Sequence, residues 1–460
     1  MEINRKLNQQ IHFIAIGGSA MHNLAIALHI KGCKVTGSDD EIFEPSKSRL
    51  SKYGILPKEE GWNPDKIHSE LDTVVLGMHA KKDNPELQKA KKLGINILSY
   101  PEYLYEHAKK KTRVVIGGSH GKTTITAMIL HVLQFYNKAF DYMVGAQLEG
   151  FEVMVKLSDE APIIILEGDE YLTSPDDPRP KFHVYKPDIG LISGIAWDHI
   201  NVFPTYENYV EQFKIFIQLI SNKGALVYCS EDKEVNRIVN ESQKEIMRIP
   251  YGIPDHIIEN GTTFLINNEE RIPLSVFGKH NLMNLNGARK ICNQLHISDQ
   301  EFFNAISSFK GASKRLEIVK TNKTTIVFKD FAHSPSKVEA TIKALKEQYP
   351  EKKLVSCLEL HTYSSLNKLF LSEYHGSMGD ADIAVVYFNT HTISLKRLPS
   401  ISIQDIKQAF GLKNLRVFTN SEKLTKYLLD LSWKNKNLLM MSSGNFDGID
   451  FKHFADQLFC

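Results

Sequence analysis

Three successive α/β domains, each a parallel sheet flanked by helices, is the architecture this chain predicts, and three observations predict it. Short apolar, β-branched runs alternate with helical patterns through the 460 residues, the rhythm of βαβ units and so of parallel strands covered by helices. Twice a glycine pair stands between such a run and a helical pattern, at Gly17-Gly18 and at Gly117-Gly118. The length suffices for about three domains, each able to bury its own core.

In the first block, Ile11–Ile16 reads as a strand, Met21–Ile30 as a helix and Lys34–Gly37 as a second strand. Strands follow at Thr73–Leu76 and Ile95–Leu98, with a helical pattern on Leu87, Ala90 and Leu93 between them. The polar run from His107 to Thr112 reads as a solvated linker and sets a first boundary, leaving 1–108 as one domain. The second block, 109–312, has strands at Val114–Ile116, Ile163–Leu166, Ile189–Ile192 and Ala225–Tyr228, with a helix over Tyr206–Leu219. The pattern pauses around Gly311–Arg315 and resumes in a third block, 313–460. There Thr325–Lys329, Leu354–Cys357, Ile383–Tyr387 and Leu438–Met441 read as strands and Pro335–Gln348 as a helix.

Composition narrows the class. With 42% hydrophobic and 24% charged residues, nothing argues for disorder. The balance of 56 basic against 54 acidic residues gives no electrostatic case for nucleic acid or an anionic membrane as partner. Five scattered cysteines without a C-x-x-C suggest neither a disulfide framework nor a thiolate metal site. The apolar run at Ile11–Ile16 is too short for a signal core, and no stretch approaches a membrane span. A soluble, cytoplasmic protein is the expectation.

The chemistry concentrates in a few places. Gly118-Ser119-His120-Gly121-Lys122-Thr123-Thr124 links the strand Val114–Ile116 to a helical pattern on Ile125, Met128, Ile129, Val132 and Leu133. In that context Gly-Lys-Thr is a phosphate cradle: backbone N–H groups face the anion, the lysine offsets charge and the threonine hydroxyl reaches Mg²⁺. The usual spacing needs a glycine at 116, where this chain has Ile116, so the loop is shortened. Three carboxylates in Glu167-Gly-Asp169-Glu170 follow the next strand and suit Mg²⁺, a hard cation that takes oxygen ligands and substrate phosphates. Asp198-His199 adds an imidazole after the strand beyond. Asn281 and Asn284, three apart on one helix face, can read an adenine edge, although helix capping by Asn281 is the plainer alternative. Arg315, in the second pause, can swing over a terminal phosphate on domain closure, and Asp330 completes the set. The N-terminal Gly17-Gly18-Ser19, with Asp39 after the second strand, fits a diphosphate and a ribose hydroxyl. It leaves open an NAD-dependent oxidoreductase, against which Ala15 and Ala20 stand where that fingerprint has glycines. A nucleotide-gated binding module without catalysis is a third reading.

Together these residues resemble the Mur ligases of bacterial cell-wall synthesis. Gly118-Ser-His-Gly-Lys-Thr-Thr124 is similar to that family's G-T-x-G-K-T-[ST], and Glu167–Glu170, Asp198-His199, Gly278–Asn284, Lys314-Arg315 and Asp330 occur in its order over essentially the whole chain. The resemblance implies a Rossmann-like first domain, a P-loop ATPase-like second and a Rossmann-like third. It implies an ADP-forming ligase that uses ATP and two Mg²⁺ ions: a carboxylate attacks the γ-phosphate, and an amine then attacks the acyl phosphate. Lys122, Glu167, His199 and Arg315 would be catalytic, with Thr123 and Glu167 on one Mg²⁺ and His199 on the other. Gly118–Thr124, Asn281, Asn284, Arg315 and Asp330 would bind ATP.

His12–Met21 and Thr36–Asp39 resemble the branch that takes UDP-N-acetylmuramate, whose UDP part Gly17, Gly18, Ser19 and Asp39 would hold. That branch adds L-alanine or a whole tripeptide, L-Ala-γ-D-Glu-meso-diaminopimelate, the latter in peptidoglycan recycling. Asp177-Pro-Arg179-Pro-Lys181-Phe182 is similar to the tripeptide ligase's D-x-R-x-K-F, making Arg179 and Lys181 substrate-binding candidates, and Met441–Ile449 resembles its M-S-N-G-x-F-x-G-I. Leu360-His-Thr-Tyr363 is closer to the alanine ligase's P-H-R-Y. Lys214 stands where other branches carry a carbamylated lysine between the metals; it is expected to be an ordinary exposed helix lysine. His333 and His361 are the candidate bases for the amine, with surface or capping roles as the alternative.

Overall fold

The computed structural model describes residues 9–459 except 79, 149, 175–176, 198–201, 269 and 312–314. The chain groups into two compact units, one of Met1–Ile195, Thr205–Tyr251 and Gly287–Ser298, the other of Ala196–Pro204, Gly252–Asn286 and Asp299–Cys460.

The first unit holds two sheets. The N-terminal one has four parallel strands in the order Lys34–Ser38, Gln10–Ile14, Thr73–Leu76, Asn96–Ser99. Its central strand buries Phe13 and Ile14 completely. That strand stops short of the predicted Ile16 because Ala15 turns the backbone to a positive φ of 68°. The amides of Ala15 and Ile16 then both donate to the Ser38 carbonyl, at 2.9 and 3.1 Å, which ties the glycine loop to the neighbouring strand.

The second sheet has seven strands, ordered Met247–Tyr251, Ala225–Cys229, Ile189–Ile192, Thr112–Gly117, Ile163–Glu167, Asp141–Met143, Val155–Lys156. All its pairs are parallel except the last. Its middle strands read Val114-Val115-Ile116, Ile163–Leu166 and Ile189–Ile192, near-continuous apolar runs, because a parallel sheet is covered on both faces. Strand Thr112–Gly117 lies between Ile189–Ile192 and Ile163–Glu167, so three neighbouring carboxyl ends deliver Gly118, Ser193 and Glu167 to one edge. Ligands of open α/β sheets sit at such an edge.

The run His107–Thr112 is not the solvated linker its charge suggests. Lys111 is buried, and its ammonium donates to Asp141 Oδ2 at 2.7 Å and to the carbonyls of Ser158 and Ala161. His107 Nε2 lies 3.3 Å from the same carboxylate. Thirty residues of sequence separate Lys111 from Asp141, so the pairing is invisible along the chain.

In the second unit a six-stranded sheet runs Glu317–Thr321, Ile326–Asp330, Lys436–Met441, Lys353–Leu360, Ile383–Phe388, Arg416–Phe418, antiparallel only at its first strand. Phe328, Leu358, Tyr374 and Phe410 pack in one hydrophobic cluster and Val355, Cys357, Tyr387 and Phe446 in another. An antiparallel meander of His256–Glu259, Thr262–Asn267 and Glu270–Leu274 was not anticipated. Its signal was present: Asn260-Gly261, both at positive φ, is the Asn-Gly pair that favours a tight hairpin. Gln348 clasps this meander, accepting from Thr263 Oγ1 at 2.8 Å and donating to the Gly261 carbonyl at 2.7 Å.

Burial pushes the Asp141 carboxyl up, but the bonds from His107, Lys111 and Ser158 outweigh it and hold it below its ordinary value. Its stabilisation is therefore present at neutral pH and is lost as pH falls through that lowered value. Asp141→Asn leaves a buried ammonium without its counter-charge and is expected to cost about 3 kcal/mol at pH 7. Urea titrations at pH 7 and pH 3 check it: the variant's deficit should shrink at the lower pH.

Candidate active site

The phosphate loop is built by sheet geometry. Gly118 takes φ +122°, and a Cβ there would stand 2.8 Å from the Ser193 nitrogen, so only glycine lets the loop pass the neighbouring strand end. Ser119 N donates to the Gly194 carbonyl at 3.0 Å, and Ser193 Oγ donates to the His120 carbonyl. Gly121, at φ +77°, caps the helix Lys122–Phe135, whose first-turn N–H groups have no acceptor within the helix. Lys122 Nζ donates to the Gly118 carbonyl at 2.7 Å and pairs with Glu170 Oε2 at 2.5 Å. Burial alone would lower its pKa, but the Glu170, Asp169 and Glu167 carboxylates outweigh that and raise it. Thr123 Oγ1 donates to Glu167 Oε1 at 2.8 Å, while Gly145 N donates to Glu167 Oε2 at 2.8 Å.

A cavity of about 460 Å³ in the first unit joins the N-terminal glycine loop to the start of the helix that follows the phosphate loop. Its lining includes Gly18 from the N-terminal loop, Ser19 and Asn23 from the helix Ser19–Ile30 that follows it, Lys122 and Glu167 from the phosphate site, and Lys181. Gly17 and Asp39 are absent from that lining; Gly17 N instead donates to Asp39 Oδ2 at 2.7 Å, so Asp39 braces the loop. Lys181 reaches the cavity because its neighbour Phe182 is fully buried, stacked on Phe216 at 4.8 Å. The Lys181 ammonium pairs with Asp169 at 2.6 Å. Arg179, by contrast, is exposed outside the cavity and pairs with Asp177 at 2.6 Å. Tyr185 also lines the cavity, and its buried hydroxyl has no hydrogen-bond partner among the described residues.

The second unit groups the remaining candidates. Asn281 and Asn284 are buried in the helix Lys279–Gln294. Asn281 Nδ2 donates back to the Phe277 carbonyl at 2.9 Å, whereas a cap would accept from an N–H, so capping is excluded. Both Asp330 oxygens accept backbone N–H bonds, from Leu316 at 2.6 Å and Ala332 at 2.7 Å, and the Arg315 guanidinium lies 4.8 Å over the Phe331 ring. Burial holds His280 below the ordinary histidine range, with Asp330 raising and Arg315 lowering it further. His333 Nδ1 is 2.8 Å from the Phe331 carbonyl, a local turn contact. His361 Nδ1 lies 3.7 Å from buried Glu359, which also accepts from Ser442 Oγ and from Phe446 N at 2.8 Å.

Comparison with known proteins decides the family. Three family models match in succession: the Mur ligase family catalytic domain over residues 10–112, the Mur ligase middle domain over 116–292 and the Mur ligase glutamate ligase domain over 314–444. The chain belongs to the Mur ligase family. It is accordingly an ATP-dependent, ADP-forming amide ligase of peptidoglycan synthesis, and the oxidoreductase and non-catalytic readings fall. The UDP-N-acetylmuramate–L-alanine ligases of Clostridium kluyveri and of a Sulfurihydrogenibium species are each 30% identical, covering 95% of this chain and 96% and 95% of theirs. Among solved structures, the Thermotoga maritima UDP-N-acetylmuramate–alanine ligase superposes with TM-score 0.70 at 20% identity. The Psychrobacter arcticus murein peptide ligase superposes with TM-score 0.65 at 21% identity. Each covers 98% of both chains, and at these identities the likeness shows a shared fold.

In this Mur ligase the residues present fit Mg²⁺. Thr123 Oγ1 and Glu167 Oε1 offer hard oxygen donors side by side at the helix start. Among the described residues no group of three His, Cys, Asp or Glu could cage an ion alone, so substrate phosphates would complete the shell. His199 and Asp198 lie outside the described residues. Lys214 is partly exposed and 3.6 Å from Glu241. Sequence reasoning missed Tyr209, Tyr185 and Gly145, whose helix or loop positions read simply as core or turn.

A Cβ at position 145 would stand 2.8 Å from Glu167 Oε1. Gly145→Ala is therefore expected to displace that carboxylate and raise the Mg²⁺ concentration for half-maximal activity about tenfold. Phosphate release measured across a Mg²⁺ titration checks it.

Proposed function

We propose that this Mur ligase joins UDP-N-acetylmuramate to the tripeptide L-Ala-γ-D-Glu-meso-diaminopimelate, as in peptidoglycan recycling. The observation that carries this reading is Lys181: it belongs to the Asp177–Phe182 segment that resembles the tripeptide ligase, and it lines the cavity beside Lys122 and Glu167.

The chemistry follows from that cavity. The N-terminal loop at Gly17, Gly18 and Ser19, braced by Asp39, holds the UDP part, and Lys181 faces the muramate end. A muramate carboxylate oxygen attacks the γ-phosphorus of ATP, and the P–O bond to ADP breaks. Lys122 and the loop amides of Gly118–Thr124 stabilise the charge that shifts during this transfer. Mg²⁺ held by Thr123 and Glu167, with a second ion on His199, would supply further phosphate neutralisation. By the family resemblance, Asn281 and Asn284 would read the adenine, and Arg315 and Asp330 would reach the nucleotide. The amine then attacks the acyl carbonyl, loses a proton, and phosphate leaves as the amide forms.

L-Alanine as acceptor is the second reading, favoured by the names of the 30%-identical relatives and by Leu360-His361-Thr362-Tyr363. Phosphate release with ATP, Mg²⁺, UDP-N-acetylmuramate and either amine separates them; turnover with the tripeptide well above that with L-alanine is expected, and the reverse rejects the tripeptide assignment. Lys122→Ala should lower kcat with either amine by about a hundredfold or more, and full activity in that variant rejects the phosphate-loop role.

A further inference from the structure

Lys122, partly buried, and Glu170, fully buried, form a pair that nucleotide binding at Lys122 would rearrange. Glu170 is 1% exposed, and its Oε2 stands 2.5 Å from Lys122 Nζ. If Lys122 serves ATP phosphates, as proposed above, it has to share or surrender that carboxylate. A buried carboxylate stripped of its counter-charge is strongly disfavoured unless another donor stays with it. One donor is in place. Tyr209, fully buried on the helix Tyr206–Leu219, donates its phenol hydroxyl to Glu170 Oε1 at 2.9 Å. The same hydroxyl lies 2.9 Å from Ser119 Oγ, inside the phosphate loop. A continuous chain thus runs Ser119, Tyr209, Glu170, Lys122 and back to the loop through the Gly118 carbonyl.

We infer that Tyr209 is a positioning residue for ATP: it holds Glu170 while Lys122 turns to the phosphates, and it registers Ser119 of the loop against that carboxylate. Without the phenol hydroxyl, Glu170 loses one of its donors, leans more on Lys122 and competes harder with the nucleotide for it. Tyr209 acts through Glu170 and Lys122 and touches no reacting atom. The inference rests on the phosphate-binding role proposed for Lys122.

The test is a double-mutant cycle on the full-length protein, read by calorimetric binding of AMP-PNP with Mg²⁺. Tyr209→Phe keeps the ring that packs edge-on against Phe213 at 5.2 Å, so the fold is retained. Its dissociation constant is expected to rise about tenfold, the loss of one hydrogen bond to a charged group. KM for ATP should follow it, with kcat at saturating ATP nearly unchanged. In a Glu170→Gln background, where the competing charge is gone, the same phenol deletion should change the affinity little. Unchanged affinity in Tyr209→Phe, or an equal loss in both backgrounds, overturns the inference. Lys122→Ala separates the two claims: if it binds AMP-PNP as tightly as the parent, the phosphate-loop reading fails and this inference with it. Weakened Lys122→Ala beside unchanged Tyr209→Phe overturns the inference alone.

Discussion

A largely enclosed ammonium needs a counter-charge, and the carboxyl edge of the seven-stranded sheet is arranged around that requirement at Lys122. The loop that presents Lys122 exists because Gly118 slips past Ser193, and the carboxylate that answers it arrives from the adjacent strand end through Glu170. The same turn supplies Glu167 to Thr123 and Asp169 to Lys181, so three carboxylates within four residues each hold a different partner. Parallel strand order makes this economical: neighbours in the sheet set their carboxyl ends side by side. Ser119 and Tyr209 extend the arrangement into a helix that carries no motif of its own.

Much of this was legible along the chain, and the reason is local. Strand, glycine loop and helix at 112–135 depend on residues near one another in sequence, and Ile189–Ile192, Tyr206–Leu219 and Pro335–Gln348 have the limits their periodicity predicts. What escaped depends on pairing at a distance. The charges of His107–Lys111 look solvated until Asp141 meets them, and Tyr209 looks like one more apolar-face residue until Ser119 and Glu170 meet its hydroxyl. Arg179 and Lys181 are indistinguishable in sequence as cavity candidates; burial of Phe182 is what turns Lys181 inward while Arg179 stays with Asp177. The meander at 256–274 is a different failure, since Asn260-Gly261 announced it.

The second unit repeats the logic of a buried acid with several donors. Burial pushes Glu359 up, yet the bonds from His361, Ser442 and Phe446 hold it below its ordinary range. It sits where the strands Lys353–Leu360 and Lys436–Met441 end together. Beyond that point the chain turns to opposite sides, one toward Ile383–Phe388 and the other toward the helix Phe451–Leu458 beside Glu317–Thr321. Such a divergence is where open α/β sheets place their crevices, and Glu359 stands beside it.

The strand that closes that sheet is the last in sequence. Lys436–Met441 lies between Ile326–Asp330 and Lys353–Leu360, strands made some eighty residues or more before it. During synthesis the first unit has all of its strands by Tyr251 and lacks only its segment Gly287–Ser298. The second must wait with two unpaired strand edges facing each other across a vacant slot, the state in which a nascent chain is exposed to wrong partners. Completion of this sheet therefore waits on the last strand made, a consequence of strand order that is independent of the reaction catalysed.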